Sequence, residues 1–227
     1  MNTVRPSLPA LPERMRTLPV DERGYPVPFF VAWGDGKPDH RIVDPSKIVR
    51  ALASDLCWIC GCHLGRNKFF CFGPMSALTR TISEPPSHQD CARFAAQGCP
   101  FLSRPRAERR EANMPAPVKE PAGTFLRRNP GVVCLWEVRR FTTHTSGDGG
   151  YLFVVGAPER TEWYAEGRPA LRSEVDASIT SGLPTIVELA RKDGLRAMQD
   201  LQQRLLDLEA MLDAMTWPEE PTTQQES

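Results

Sequence analysis

Two short brackets, Cys57-Trp58-Ile59-Cys60 and His88-Gln89-Asp90-Cys91, constrain this chain more than anything else in it. Two residues between sulfurs allow a tight turn that aims both at one point, and Gly61 is free to take a positive φ just beyond. Pro85-Pro86-Ser87 precedes the second bracket, so a helix is expected to begin there with Ser87 as N-cap, placing His88 and Cys91 on one face. Three sulfurs and an imidazole are a donor set for tetrahedral zinc, which predicts Cys57, Cys60, His88 and Cys91 as the ligands of one Zn2+. Helix-terminal N–H groups would favour thiolate at Cys91. Asp90 or a backbone carbonyl would accept a proton from the other nitrogen of His88.

Two competing readings exist for the same residues. Unliganded cysteines are often core residues, but burial alone gives no reason for a histidine beside the fourth position. A thioredoxin-like redox pair wants a preceding βαβ pattern, which the sequence lacks. Within the zinc reading, His63 lies three residues after Cys60 and competes with His88, while Cys62 is expected to point elsewhere. Cys71 reads as a small packed hydrophobe, on the same strand face as Phe69 and opposite Phe70 and Phe72. Cys99 reads as a packing residue at a helix end, and Cys134, inside Val132-Val133-Cys134-Leu135-Trp136, as interior.

Between the brackets, Asn67-Lys68-Phe69-Phe70-Cys71-Phe72 followed by Gly73-Pro74 reads as part of a β-hairpin. Knuckle, hairpin and ligand-bearing helix is the order of a treble-clef zinc unit. The expected class is therefore α+β: a treble-clef-like zinc unit, a small antiparallel β-sheet and C-terminal helices.

Prolines organise the rest. Residues 1–45 read as a proline-rich N-terminal arm, because Pro6, Pro9, Pro12, Pro19, Pro26 and Pro28 prevent a regular helix. A loop from Pro38 to Pro45 then leads into a short helix at about Ser46–Asp55. The zinc-binding unit is placed at 46–103 and a basic, proline-containing linker at 104–130. Arg104, Arg106, Arg109 and Arg110 in that linker are candidate phosphate contacts, although interspersed glutamates and the lack of aromatics favour a solvated linker. Residues 131–216 are expected to form a sheet with C-terminal helices, and 217–227 a disordered tail. In the sheet, Val132–Val138 is expected to return through the glycine-rich turn 146–150 into Tyr151–Val155, with a third strand at Glu162–Ala165. A helix at Arg172–Thr180 is expected to break at Gly182-Leu183-Pro184. Met198, Leu201, Leu205, Leu208, Leu212 and Met215 then form a narrow apolar seam, suited to packing on the chain's own sheet or to a homodimer through the C-terminal helix.

Seven cysteines, an odd number, argue against a complete disulfide framework, and the N-terminus has no charged leader followed by an apolar core. A cytoplasmic location is the expectation. No apolar stretch is long enough for a membrane span, and 28 basic against 28 acidic side chains give no overall field for nucleic acid.

The motifs Cys57-Trp58-Ile59-Cys60-Gly61, Leu64-Gly65-Arg66, Gly73-Pro74-Met75, Ser83-Glu84-Pro85-Pro86-Ser87-His88, Cys91-Ala92 and Cys99-Pro100-Phe101-Leu102 come in this order. Glu166-Gly167-Arg168-Pro169-Ala170, Glu174-Val175 and Ser181-Gly182-Leu183-Pro184 follow. Together they resemble a group of functionally uncharacterised bacterial and bacteriophage proteins with a treble-clef-like CxxC…HxxC zinc site. The resemblance runs over roughly residues 55 to 215 and implies common descent without an activity.

Two functional classes follow. One is a zinc-stabilised interaction or regulatory protein, whose partner is a protein, a second copy of the chain or nucleic acid. The alternative is a nucleic-acid-binding protein or a treble-clef metal-dependent nuclease. Four protein ligands would close the zinc to catalysis, and the strand carries Cys71 and aromatics where a nuclease would place its general-base histidine. A zinc deaminase would need an H-x-E motif, which the sequence does not contain. His144, beside a glycine-rich loop without the lysine of a phosphate cradle, reads as an exposed loop residue. No catalytic residue is assigned, and a non-enzymatic role is favoured.

Overall fold

The computed structural model describes residues 2–104, 131–147 and 149–220. The described chain is α+β, with small antiparallel sheets and C-terminal helices.

After a 3-10 turn at Glu13–Met15 comes a hairpin, in which β1 (Val31–Gly34) pairs antiparallel with β2 (Lys37–Val43). This replaces the expected proline-rich loop. Asp35 and Gly36 both have positive φ, as a two-residue hairpin turn demands, and Pro38 is tolerated because the sheet has only two strands. Helix α1 (Pro45–Ala53) follows, capped by the Asp44 side chain on the Ser46 N–H.

The main sheet has the order β3 (Lys68–Phe72), β5 (Val132–Val138), β8 (Arg160–Ala165) and β9 (Arg168–Pro169). A second sheet orders β4 (Thr81–Ile82), β7 (Tyr151–Val155) and β6 (Phe141–Thr145). Two expectations change here. The aromatic run is a strand, but it pairs with β5 from far along the chain, and helix α2 (Pro74–Thr79) stands where the second arm of a local hairpin was expected. A short Phe69–Ser87 bridge supplies the local pairing instead. The turn at 146–150 joins β6 to β7, not β5 to β7, so residues 132–165 contribute to two sheets instead of one.

Every residue of β5 is buried because both of its faces are covered. Val132, Cys134, Trp136 and Val138 face the larger core, with Phe70, Phe72, Leu78, Phe153, Leu208 and Leu212. Val133 and Leu135 face helix α3 (Gln89–Gly98), whose Ala92 and Ala96 allow close approach beside Phe69 and Tyr164.

Helix α4 (Arg172–Asp193) runs unbroken through Gly182-Leu183-Pro184, contrary to the expected break. The reason is packing. A Cβ on Gly182 would lie 2.6 Å from the Met75 sulfur of α2, so glycine permits the approach of the two helices, and Leu183 and Ile186 pack on the core. That burial outweighs the hydrogen bond Pro184 cannot donate. The break falls instead at Gly194, before α5 (Leu195–Asp213). The apolar seam of α5 lies inside the molecule: Leu201, Leu208 and Leu212 are buried, Leu205 and Met215 pack on the core, and Arg204 donates to the Thr79 carbonyl at the end of α2. Leu195 and Leu206 remain exposed.

Candidate metal centre

The backbone folds the first bracket before any metal is considered. The Cys57 N–H donates to the Cys62 carbonyl, the Gly61 N–H to the Cys57 carbonyl, and Leu56 bridges His63. Gly61 has φ +73°, and a Cβ there would meet the Phe29 ring at 2.8 Å, so the turn needs glycine on both counts. The second bracket is tied to the first by the Trp58 N–H, which donates to the Pro86 carbonyl at 3.0 Å. His88 itself is the N-cap residue of α3, one position later than expected, and Cys91 sits in the first turn. Ser87 is held instead by its pairing with Phe69.

These connections bring the Cys57, Cys60 and Cys91 sulfurs and a ring nitrogen of His88 within 4.8 Å of one another. A tetrahedron with Zn–S bonds of about 2.3 Å has S···S edges of about 3.8 Å, so small adjustments would seat an ion. Cys57 and Cys91 are fully buried, Cys60 and His88 nearly so. Met15, Ile59 and Phe94 close over the cluster, with Leu8, Leu11, Leu18 and Leu64 packed around them. Thus the proline-rich N-terminal segment, through Leu8, Leu11 and Met15, is one wall of the centre.

His88 is oriented for ligation. Its Nε2 lies 2.9 Å from the His63 carbonyl oxygen, which fixes the proton there and leaves Nδ1 with its lone pair toward the sulfurs, 3.4 Å from Cys60 Sγ. The Cys57 sulfur lies within reach of the Cys60 and His88 backbone N–H groups, at 3.5 and 3.4 Å. Hydrogen bonds from the Cys60 and Cys91 thiols hold Cys57 far below the ordinary thiol range. The same contact with Cys57 pushes Cys60 up to about 12 and Cys91 higher still. His88 is raised, chiefly by its hydrogen bond to Cys57 and against the effect of burial. Three sulfurs this close cannot all carry negative charge without a cation between them, and a dication would let all three ionise. The residues present fit a metal ion.

His63 contributes its carbonyl, not its ring, and its side chain is exposed, as is Cys62. Asp90 accepts from the Cys91 N–H and faces Arg14 at 3.6 Å. The carbonyl, not this carboxylate, takes the His88 proton. Cys71 packs beside Phe69 on the α3 face, and Cys99 is the C-cap residue of α3. Cys134 is buried in the larger core, where burial raises its thiol well above the usual range. All seven cysteines are free. His144 lies on β6 opposite Leu152, a strand position and not a loop. Arg104 is exposed beyond α3, and Arg106, Arg109 and Arg110 lie outside the described residues.

Sequence reasoning passed over Arg66, Arg139 and Arg140, which the fold gathers around one cleft. The adjacent arginines at the end of a β-branched run were the available signal. Among the described residues, no helix is long and apolar enough to cross a membrane. No family model matches this chain, and neither a curated protein nor a solved structure matches it.

Proposed function

We propose that this protein is a zinc-stabilised interaction or regulatory protein, in which Zn2+ held by Cys57, Cys60, His88 and Cys91 organises the knuckle and α3. The observation that carries this is the buried Cys3His set: four protein donors lie within 4.8 Å of one another, the number a tetrahedral ion takes, and apolar side chains pack around them. A catalytic zinc needs an open position, and this arrangement offers none. The ion's contribution is to hold three thiolates and an imidazole together where protons cannot.

Elemental analysis of anaerobically purified protein should find one zinc per chain, and the protein should not cleave DNA in magnesium or manganese. Zinc-free protein with an intact fold would overturn the structural role. Metal-dependent cleavage lost on replacing His63 or His144 would restore the nuclease alternative. A nucleic-acid partner is the second reading, and the observation favouring it is the basic cleft beside the knuckle.

A further inference from the structure

An open cleft of about 570 Å3 is lined by Arg66, Val138, Arg139, Arg140, Ala157 and Glu159. Three separate pieces of chain build it. The loop leaving the knuckle brings Arg66, the passage from β5 to β6 brings Arg139 and Arg140, and the passage from β7 to β8 brings Ala157 and Glu159. Since β5 and β8 belong to one sheet and β6 and β7 to the other, both passages cross the same junction, which leaves a concave surface there.

The charge of this surface is lopsided. Three guanidinium groups less one carboxylate give a formal +2, in a chain whose formal net charge is zero. Arg139 faces Glu159 at 3.4 Å, and both side chains are half-exposed. Arg66 and Arg140 make no ion pair with any described residue. Glu137 on the adjoining strand does not compensate them, because Asn67 and Arg160 already engage its carboxylate. Like charges repel, and among the described residues only Glu159 offsets the three arginines of this cleft.

Guanidinium forks match phosphate oxygens in geometry, and two guanidinium groups without an ion pair among the described residues match a phosphate's double charge. Among the described residues no aromatic ring lines the cleft, so they offer no platform for stacking a base. We propose that this cleft binds a phosphate group, with Arg66 and Arg140 as direct partners and Arg139 joining them when Glu159 gives way. Either a nucleic-acid strand or a free phosphate compound can present that group. The inference requires the fold and not the identity of the metal, and zinc content measured on every variant keeps the two separable.

The test uses the full-length protein with two probes: a fluorescein-labelled single-stranded oligonucleotide followed by anisotropy, and inorganic pyrophosphate followed by calorimetry. At least one should bind, more weakly as salt rises. Arg66→Ala with Arg140→Ala should weaken binding by about 10-fold or more, since two charged partners are lost at a solvent-exposed site. Glu159→Gln should tighten it, an effect that a merely structural role for the arginines would not produce. Loss of oligonucleotide binding in the double variant makes a strand the source, whereas loss of pyrophosphate binding alone makes it a free phosphate. Binding of neither probe, or binding unchanged in the double variant at unchanged zinc content and melting temperature, overturns the proposal.

Discussion

The knuckle-and-helix region and the sheet-and-helix core are built on opposite principles. In the first, four polar-atom ligands are held by a few backbone hydrogen bonds under a thin apolar cover drawn partly from the N-terminal segment. In the second, Trp136, Phe70, Phe153, Leu208 and Leu212 bury large side chains from strands and helices distant in sequence. The first should depend on one ion and the second on many small contributions. Substitutions can therefore damage one region while leaving the other in place.

The largest effect should come from the ligands. Structural zinc binds finger-like sites with about 10–16 kcal/mol, comparable to or above the whole stability of a domain, about 5–15 kcal/mol. Chelation, or Cys57→Ser, should release the metal and melt the metal-holding segment, formed by the knuckle at residues 56–64 and by α3. Hydrogen exchange would show that segment losing protection while β5 and α5 keep theirs. Equal loss in both regions would show that they are one cooperative unit.

Damage to the larger core should be smaller and should spare the metal. Leu208→Ala removes a fully buried side chain from the packing of α5, at a cost of about 2–5 kcal/mol. The melting temperature should fall at full zinc stoichiometry. Sedimentation tests the other use of the same seam: Leu205→Glu with Leu208→Glu should lower stability without changing the native mass. A halved mass would mean that the seam joins two copies.

The contrast also explains what the sequence made legible. A metal-binding knuckle is specified by residues close together, so Cys57, Cys60, Gly61 and Cys91 were readable from spacing, whereas His63 competed with His88 until the fold set the His88 ring among the sulfurs. Strand pairing is not local, and nothing in Phe69-Phe70-Cys71-Phe72 announces that its partner is Trp136 and its neighbours. The hairpin at 31–43 was read as a proline loop from Pro38 to Pro45, and Asp35-Gly36, a hairpin-turn pair, was the signal left unused. Gly182 and Pro184 resemble a helix break locally, yet Met75, more than a hundred residues away in sequence, is what the glycine accommodates. The arginine cleft depends on two passages between sheets whose existence could be seen only once the pairing was known.

A smaller effect should appear where the two regions meet. Glu162 on β8 accepts from Gln89 and Arg93 of α3, at 2.7 and 2.6 Å, and from the Tyr164 hydroxyl at 3.0 Å. Burial raises its carboxyl, but those hydrogen bonds outweigh burial and hold it below the ordinary value. A carboxylate lowered in the fold adds stability that is fully present above its unfolded value, about 4.3, and lost as pH falls through the folded one. Glu162→Gln should therefore cost about 1–2 kcal/mol at neutral pH, toward the lower end of charged hydrogen bonds because Arg93 is half-exposed. The gap between variant and parent should close as pH drops below about 4. A constant gap across the acid range would mean that Glu162 acts by shape and not by charge.

The smallest effect separates the two histidines. His63 serves the centre through its backbone carbonyl, which accepts from His88 Nε2, and its ring is exposed. His63→Ala keeps the carbonyl, so zinc stoichiometry should stay at one and stability should move by less than about 0.5 kcal/mol, as for an ordinary surface change. His88→Ala removes Nδ1 and should weaken metal retention sharply against a competing chelator. Reversed results would make the His63 ring the fourth ligand, requiring the loop after Cys60 to fold inward. The Cys57-to-Cys62 and Leu56-to-His63 pairing that shapes the knuckle would then have to break. That cost is the physical reason to expect His88.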